Sequence, residues 1–301
     1  MILKISPSCR KLKIMKRILI GVFLIVLSLS ELVAQENSLL WEISKKRYKT
    51  SYLFGTIHSS DSRVFSFGET VLPALYKCKA YAGEIIMQPE DVLAILPYLF
   101  EKDKTKQCKN VLNEEEYALV SAAFSEKLGK EMLFMLPSMS PYLASIMIGI
   151  PNEYTEENPY FLDMYLQEQA DSLHKKLISL ESIENQYSYI NSIEIEKQKN
   201  HLLKIVNNMD SHIDDIEELL AIYLKGDLKG IEALLSSGED EDPIMTPKFM
   251  IERNETQVKG IIAAMLEQST FIGVGAAHLP GENGLLRLLE ENGFTIRPIF
   301  Y

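Results

Sequence analysis

Two of the five histidines in this 301-residue chain stand three positions after a glycine, in Gly55-Thr56-Ile57-His58 and Gly275-Ala276-Ala277-His278, and each unit follows an apolar run. Glycine at the carboxyl end of a strand permits a sharp turn, and in an α/β sheet that end opens the binding crevice. Two neutral imidazoles delivered there form a donor pair for a divalent transition metal, and a carboxylate completes the set. Glu84, within the apolar run Ala80-Tyr81-Ala82-Gly83-Glu84-Ile85-Ile86-Met87, and Glu181, closing Leu177-Ile178-Ser179-Leu180, are the available acids. A charge in such a place is costly unless it is paired, bound to metal or turned into a crevice. His58, His278 and Glu84 are therefore the candidate metal ligands, for manganese, cobalt or zinc, with Glu84 as ligand or general base. The alternative for Glu84 is a buried ion pair.

Arg253 and Asn254 are adjacent polar residues inside an apolar-periodic stretch, which points to a buried network. In one reading Arg253 neutralises a developing oxyanion and Asn254 orients substrate. In the other the two serve a helix cap or a salt bridge. Gly55, Gly275 and Glu181 join Asn254 as candidate substrate-binding positions. His174, His201 and His212 fall on predicted helix faces among acids and lysines and read as ordinary structural residues. Gly273-Val274-Gly275 begins like a dinucleotide fingerprint, but His278 stands where the third glycine belongs.

The elements that must hold these residues are legible from periodicity. Leu39 to Ile43 and Lys49 to Phe54 read as a strand pair around the basic turn Lys45-Lys46-Arg47, and 80–87, 177–181, 270–274 and 294–300 read as further strands. Pro298 places the last of them at an edge. Helices are predicted over 69–78, 91–99, from Asn113 onward, over 131–150 with interruptions at Pro137 and Pro141, and over 162–173, 193–224, 228–235, 249–266 and 285–292. The acidic stretch 236–243 reads as a solvated loop. The expectation is an α/β fold with a mixed central sheet built from two halves, each ending a strand in Gly-x-x-His, around a mostly helical middle.

The chain holds 31 Lys+Arg against 42 Asp+Glu and is 47% hydrophobic, a composition that excludes disorder. Its one long apolar run, Ile18 to Leu29, is shorter than the roughly 20 residues of a spanning helix, so a multi-pass membrane protein is excluded too. Lys16 and Arg17 precede that run and Ala34 follows it, the pattern of an export signal over 1–34 with the mature chain starting near 35. An uncleaved anchor and a start at Met15 are the alternatives. The remainder, 35–301, has no linker and reads as one exported domain, periplasmic or extracellular, with no transmembrane segment after cleavage. It carries 25 bases against 41 acids, a net charge of −16 that repels phosphate backbones and excludes nucleic acid as the expected partner. Cys78 and Cys108 either close a loop of about 30 residues or remain two thiols, and the sequence leaves both open.

Taken jointly, Leu40-Trp41-Glu42-Ile43, Tyr52-Leu53-Phe54-Gly55-Thr56-Ile57-His58, Gly273 to Gly281, Gly284-Leu285-Leu286 and Gly293-Phe294 resemble the signatures of the TraB/GumN family, which includes Tiki-type metalloproteases. Leu162-Asp163-Met164-Tyr165-Leu166, Leu180 to Gln186 and Glu252-Arg253-Asn254 are similar to its internal blocks. The resemblance runs from Leu40 to the C-terminus and is generic over Pro89 to Asn158. It implies two half-domains that each contribute one Gly-x-x-His, with Glu84 at the family's acidic strand position. It also implies an exported metal-dependent hydrolase, a peptidase in which activated water attacks the carbonyl of a peptide or protein substrate. Two alternatives stay open within the resemblance. One is a non-catalytic peptide-binding or pheromone-sequestering protein, the other a metal-free His/Glu hydrolase like the loosely similar erythromycin esterases.

Overall fold

Apolar residues at both ends of the chain are drawn into one sheet because neither end can bury its strands alone. In the computed structural model, residues 37–67, 69–88, 92–149, 160–237 and 247–300 are described. The expected export segment 1–34 and most of the charged loop at 236–243 lie outside them. The order of elements is β1 (Leu40–Ser44), β2 (Ser51–Thr56), α1 (Val71–Lys77), β3 (Ala80–Gly83), α2 (Val92–Leu99), α3 (Cys108–Val111), α4 (Glu114–Leu128), α5 (Pro141–Gly149), α6 (Leu162–Ser172), β4 (Lys176–Ser179), α7 (Ile183–Ser192), α8 (Ile195–Asn207), α9 (Met209–Tyr223), α10 (Leu228–Ser237), α11 (Pro247–Glu267), β5 (Thr270–Gly275), α12 (Leu285–Glu291) and β6 (Thr295–Ile299).

The sheet is mixed and runs β4-β3-β5-β2-β1-β6. β1 pairs antiparallel with β2 and with β6, which puts Pro298 on an edge strand, where its missing N–H costs least. β5 pairs parallel with β2 and with β3, and β3 pairs parallel with β4. The carboxyl ends of β2, β5, β3 and β4 therefore lie along one side of the sheet.

Apolar cover forms two clusters. One packs on the sheet and includes Leu53, Phe54, Phe271, Ile272, Leu285 and Leu289. The other gathers Phe124, Leu136, Met139, Ile148 and Leu202 in the helical middle.

The expected elements are present, with shifts that have local causes. β3 stops at Gly83, so Glu84 follows the strand instead of interrupting it. Beyond it, the Ser179 hydroxyl takes the Ile86 N–H, and the Gln167 side chain takes both the N–H and C=O of Met87. The stretch 193–224 is two helices, because Asn208 leaves helical geometry and bonds back to the Lys204 carbonyl. Pro137 confines 130–138 to two 3-10 turns, while Pro141 starts α5, where a missing N–H is harmless. α4 begins with the reciprocal Asn113–Glu116 capping box. His174 is not on a helix face; it turns the chain after α6 with a φ of 53°.

Cys78 and Cys108 are both buried free thiols, the first in the sheet cluster and the second in the helical one. The disulfide left open by the sequence is thus absent. Burial pushes each thiol up to about 12, which leaves them unreactive at neutral pH. Dithiothreitol should accordingly leave the melting temperature unchanged. A drop of several degrees in a circular-dichroism melt would contradict this.

Candidate functional site

Parallel pairing of β2 with β5 sets Gly55 opposite Val274 and Thr56 opposite Gly275, so the two Gly-x-x-His turns leave neighbouring strands at the same end. On the other side of β5, Gly83 pairs with Gly273, which delivers Glu84 beside Gly275. The ladder continues past β4: the Leu180 N–H donates to Gly83 and the Glu181 N–H to Glu84, bringing the second acid alongside the first. Four predicted residues, His58, Glu84, Glu181 and His278, thus converge from four strand ends.

Neither glycine is needed for an unusual backbone angle. Gly55 and Gly275 both have ordinary dihedrals, and the sharp-turn explanation gives way to close approach. A Cβ on Gly275 would stand 3.2 Å from Glu84 Oε1, and one on Gly55 would stand 3.1 Å from the Ala276 backbone. The N–H of Gly275 donates to Glu84 Oε1 at 2.7 Å, so this glycine is part of the carboxylate's seat. Gly55 is buried, with its N–H bonded to Leu39 and its C=O to the Tyr223 hydroxyl, which makes it a packing position.

His278 is 3% exposed, and its Nδ1 lies 2.5 Å from Asn254 Oδ1. Asn254 Nδ2 donates to the Asn283 carbonyl, which fixes the amide so that its oxygen accepts the Nδ1–H. Nε2 is left as the lone-pair atom, 3.6 Å from Glu84 Oε1 and 3.4 Å from the Gln257 amide nitrogen. Burial holds this ring down at about 4, and Arg253 and His58 add to the effect against Glu84, so His278 is neutral at pH 7. Asn254 is therefore a group that orients the histidine.

His58 is held in the same manner by a residue the sequence reading did not assign. Asp163, in the first turn of α6, accepts its Nδ1–H at 2.9 Å. The Asp163 charge raises the ring to about 9, and water reaches a side chain that is 69% exposed. Phe161 lies edge-on to the ring at 6.4 Å. In both histidines an oxygen acceptor takes Nδ1, the arrangement by which proteins aim Nε2 at a metal or substrate.

Arg253 occupies the floor. Its Nε donates to both oxygens of Glu181, at 3.2 and 3.1 Å, and its Nη2 to Glu84 Oε2 at 2.5 Å. Gln257, one helical turn on, donates to Glu181 Oε1 at 2.5 Å. Burial alone would push Glu84 up, but His278, Arg253 and His58 together hold it down at about 2. Glu181, with its side chain 1% exposed, is a buried partner of Arg253 and Gln257. Arg253 is thus ion-paired with both acids in this arrangement.

The donors suit a borderline divalent cation in kind: the neutral His278 Nε2, the His58 Nε2 once its proton is released, and an ionised carboxylate. The buried charges suit it as well, because two carboxylates share one guanidinium and His278 is neutral, leaving an excess of one negative charge. The expected three-ligand set is not drawn together, however. Among the described residues no three His, Cys, Asp or Glu side chains gather as a metal site. Glu84 and His278 are close, Oε1 to Nε2 at 3.6 Å, while His58 is bonded to Asp163 with its side chain 69% exposed.

The sheet, the paired Gly-x-x-His turns and the acidic strand end define an α/β protein with a histidine–carboxylate crevice. Residues 39–298 match the model of the TraB/PrgY/gumN family, and the chain belongs to that family. It is 23% identical to a protein named Metalloprotease TIKI2 from Xenopus tropicalis, over 86% of this chain and 59% of that protein. It is 22% identical to Metalloprotease TIKI1 from Homo sapiens over 86% of this chain and 61% of that protein. A Metalloprotease TIKI homolog from Nematostella vectensis is 19% identical over 86% of this chain and 66% of its own length. The chain thus spans about three fifths of the length of the curated relatives it matches. No solved structure gives a significant match.

The opposed environments of the two rings predict opposite titrations. In a ring-proton NMR titration His58 should titrate above the ordinary 6.5 and return towards it in Asp163→Asn, while His278 should stay neutral down to about 4. The stability that His58 contributes is full below 6.5 and lost as pH rises through about 9. His278 acts the other way: below 6.5 the unfolded chain takes up a proton that the folded ring refuses until about 4, so stability falls with pH in that window.

Proposed function

We propose that the chain is a metal-dependent peptidase whose reaction crevice lies at the carboxyl ends of β2, β3 and β5. One observation carries the reading: parallel pairing brings His58, His278 and Glu84 to one sheet end, with both rings oriented through Nδ1. Support comes from the metalloprotease names of the relatives and from the excess negative charge of the buried network.

His58 Nε2, His278 Nε2 and Glu84 Oε1 would hold the ion. When bound, such an ion acts as a Lewis acid on a carbonyl and brings the acidity of water near neutrality. Asn254 keeps His278 in the tautomer that presents an Nε2 lone pair, and Asp163, by taking the His58 Nδ1–H, leaves Nε2 as the atom that would give up its proton to take the ion. Arg253, anchored by Glu181 and Gln257, holds Glu84 ionised and in place, and the Gly275 N–H fixes the oxygen nearest His278. The substrate is a peptide or protein. The proposed reaction lies outside the cytoplasm, a reading supported by the basic residues Lys16 and Arg17 ahead of the apolar run Ile18 to Leu29, and fractionation of a C-terminally tagged chain would check it.

A second reading rests on the His58–Asp163 pair. A histidine raised to about 9 by a carboxylate is protonated at neutral pH and can act as a general acid, with Glu84 as the base, without any ion.

One assay separates the two. The chelator-stripped chain should show no hydrolysis of a mixed peptide library and should regain it with manganese, cobalt or zinc. His58→Ala, His278→Ala and Glu84→Gln should each lower kcat/KM about a hundredfold or more. Turnover that survives chelation would establish the metal-free reading, and no turnover under any condition would overturn both.

A further inference from the structure

Gln257 is fully enclosed on the inner face of α11, one turn after Arg253 and Asn254, and its amide carries a defect. The nitrogen lies 2.5 Å from Glu181 Oε1 and 3.4 Å from His278 Nε2, while the oxygen is buried and meets no hydrogen-bond partner among the described residues. A buried carbonyl oxygen without a donor is costly. Turning the amide over would relieve it only if the neighbours were donors, and both are acceptors. Glu181 Oε1 also takes the Arg253 Nε–H at 3.2 Å, and His278 Nε2 carries a lone pair because the Nδ1–H is given to Asn254 Oδ1 at 2.5 Å. Both N–H groups of Gln257 must therefore face inward, and the oxygen is left over.

The His278 ring thus meets two amides with opposite roles. Asn254, fixed by the Asn283 carbonyl, takes the Nδ1 proton through its oxygen and aims Nε2 into the crevice. Gln257 takes the aimed atom itself. A neutral imidazole has one lone pair available, and an N–H and an ion cannot share it. Glu181 has other support, since Arg253 Nε bonds both of its oxygens. Support of Glu181 alone explains neither the contact with Nε2 nor the unpaired oxygen.

We propose that Gln257 is a positioning residue that guards the ion seat of the crevice: its N–H takes the His278 Nε2 lone pair, and a divalent ion is held there only when that bond opens. At 3.4 Å against 2.5 Å, the bond to the ring is the weaker of the two that Gln257 donates, so it yields while the tether to Glu181 remains. In the metal-dependent reading on which this rests, Gln257 and Asn254 have opposite effects on ion affinity although they touch the same ring.

Two measurements on the full chain test this, the first without any metal. In nitrogen NMR of the chelator-treated chain with isotope-labelled histidine, the His278 Nε2 resonance should move downfield in Gln257→Leu, as an imine nitrogen does on losing a hydrogen-bond donor. In calorimetric titration with cobalt chloride, Gln257→Leu should bind about fivefold more tightly than the unsubstituted chain, the worth of one net hydrogen bond, and Asn254→Ala about tenfold more weakly. Gln257→Met supplies the same comparisons if the branched side chain disturbs the packing of α11. Cobalt uptake that survives in His58→Ala/His278→Ala lies outside the crevice and counts as no binding there. An unmoved Nε2 resonance would overturn the guard whatever the metal does, and so would an affinity that is unchanged or lower in both Gln257 variants. Absence of cobalt binding in the crevice of every chain would overturn the metal-dependent reading, and the guard with it.

Discussion

Parallel hydrogen bonding between β2 and β5 is the constraint on which the crevice depends. The two strands come from opposite ends of the chain, with Thr56 opposite Gly275. That register sends both histidine turns off the same side of the sheet. A slip of one residue would reverse the faces of every side chain on one strand and separate the rings. The register is secured by burial: Leu53, Phe54, Phe271 and Ile272 are all fully enclosed. It is also secured by glycine, because Gly55 lets β2 come against Ala276 and Gly275 lets the Glu84 carboxylate sit against the backbone.

Electrostatics then decide what each group in the crevice can do. Arg253 is held between Glu84 and Glu181, and while burial works against the Glu84 charge, His278, Arg253 and His58 keep that carboxyl ionised. The two imidazoles, similar in sequence context, diverge completely in charge. His278 is enclosed beside an amide and stays neutral; His58 lies in solvent beside a carboxylate and holds its proton. A matched pair in the sequence becomes a pair with different proton affinities, which is the usual starting point for dividing acid, base and ligand roles.

Much of this was legible in the residues. Periodicity located the strands and most helices, and the charge of Glu84 next to an apolar run marked it as a group with a partner. The strand limits were less legible: β3 ends at Gly83, one backbone bond follows at Glu84, and Ser179 and Gln167 side chains then take the N–H groups of Ile86 and Met87, long-range bonds that leave no periodic trace. Asp163 was read only as part of a sequence block, since an acid in the first turn of a helix ordinarily serves that helix. Gln257 carried a signal that could have been used, as it stands one turn from Arg253 on the same face of α11.

By itself the sequence determined which residues are apolar, where the strands and most of the helices lie, and that two histidines and two acids stand at strand ends. The tertiary structure alone decided that those strand ends are neighbours, that Asn254 and Asp163 orient the two rings, that Arg253 faces inward to both acids, and that Cys78 and Cys108 lie in different clusters. The physical reason is that periodicity records which face of its own element a residue occupies, whereas strand order and hydrogen-bond partners across 100 or more residues follow from packing all the elements at once.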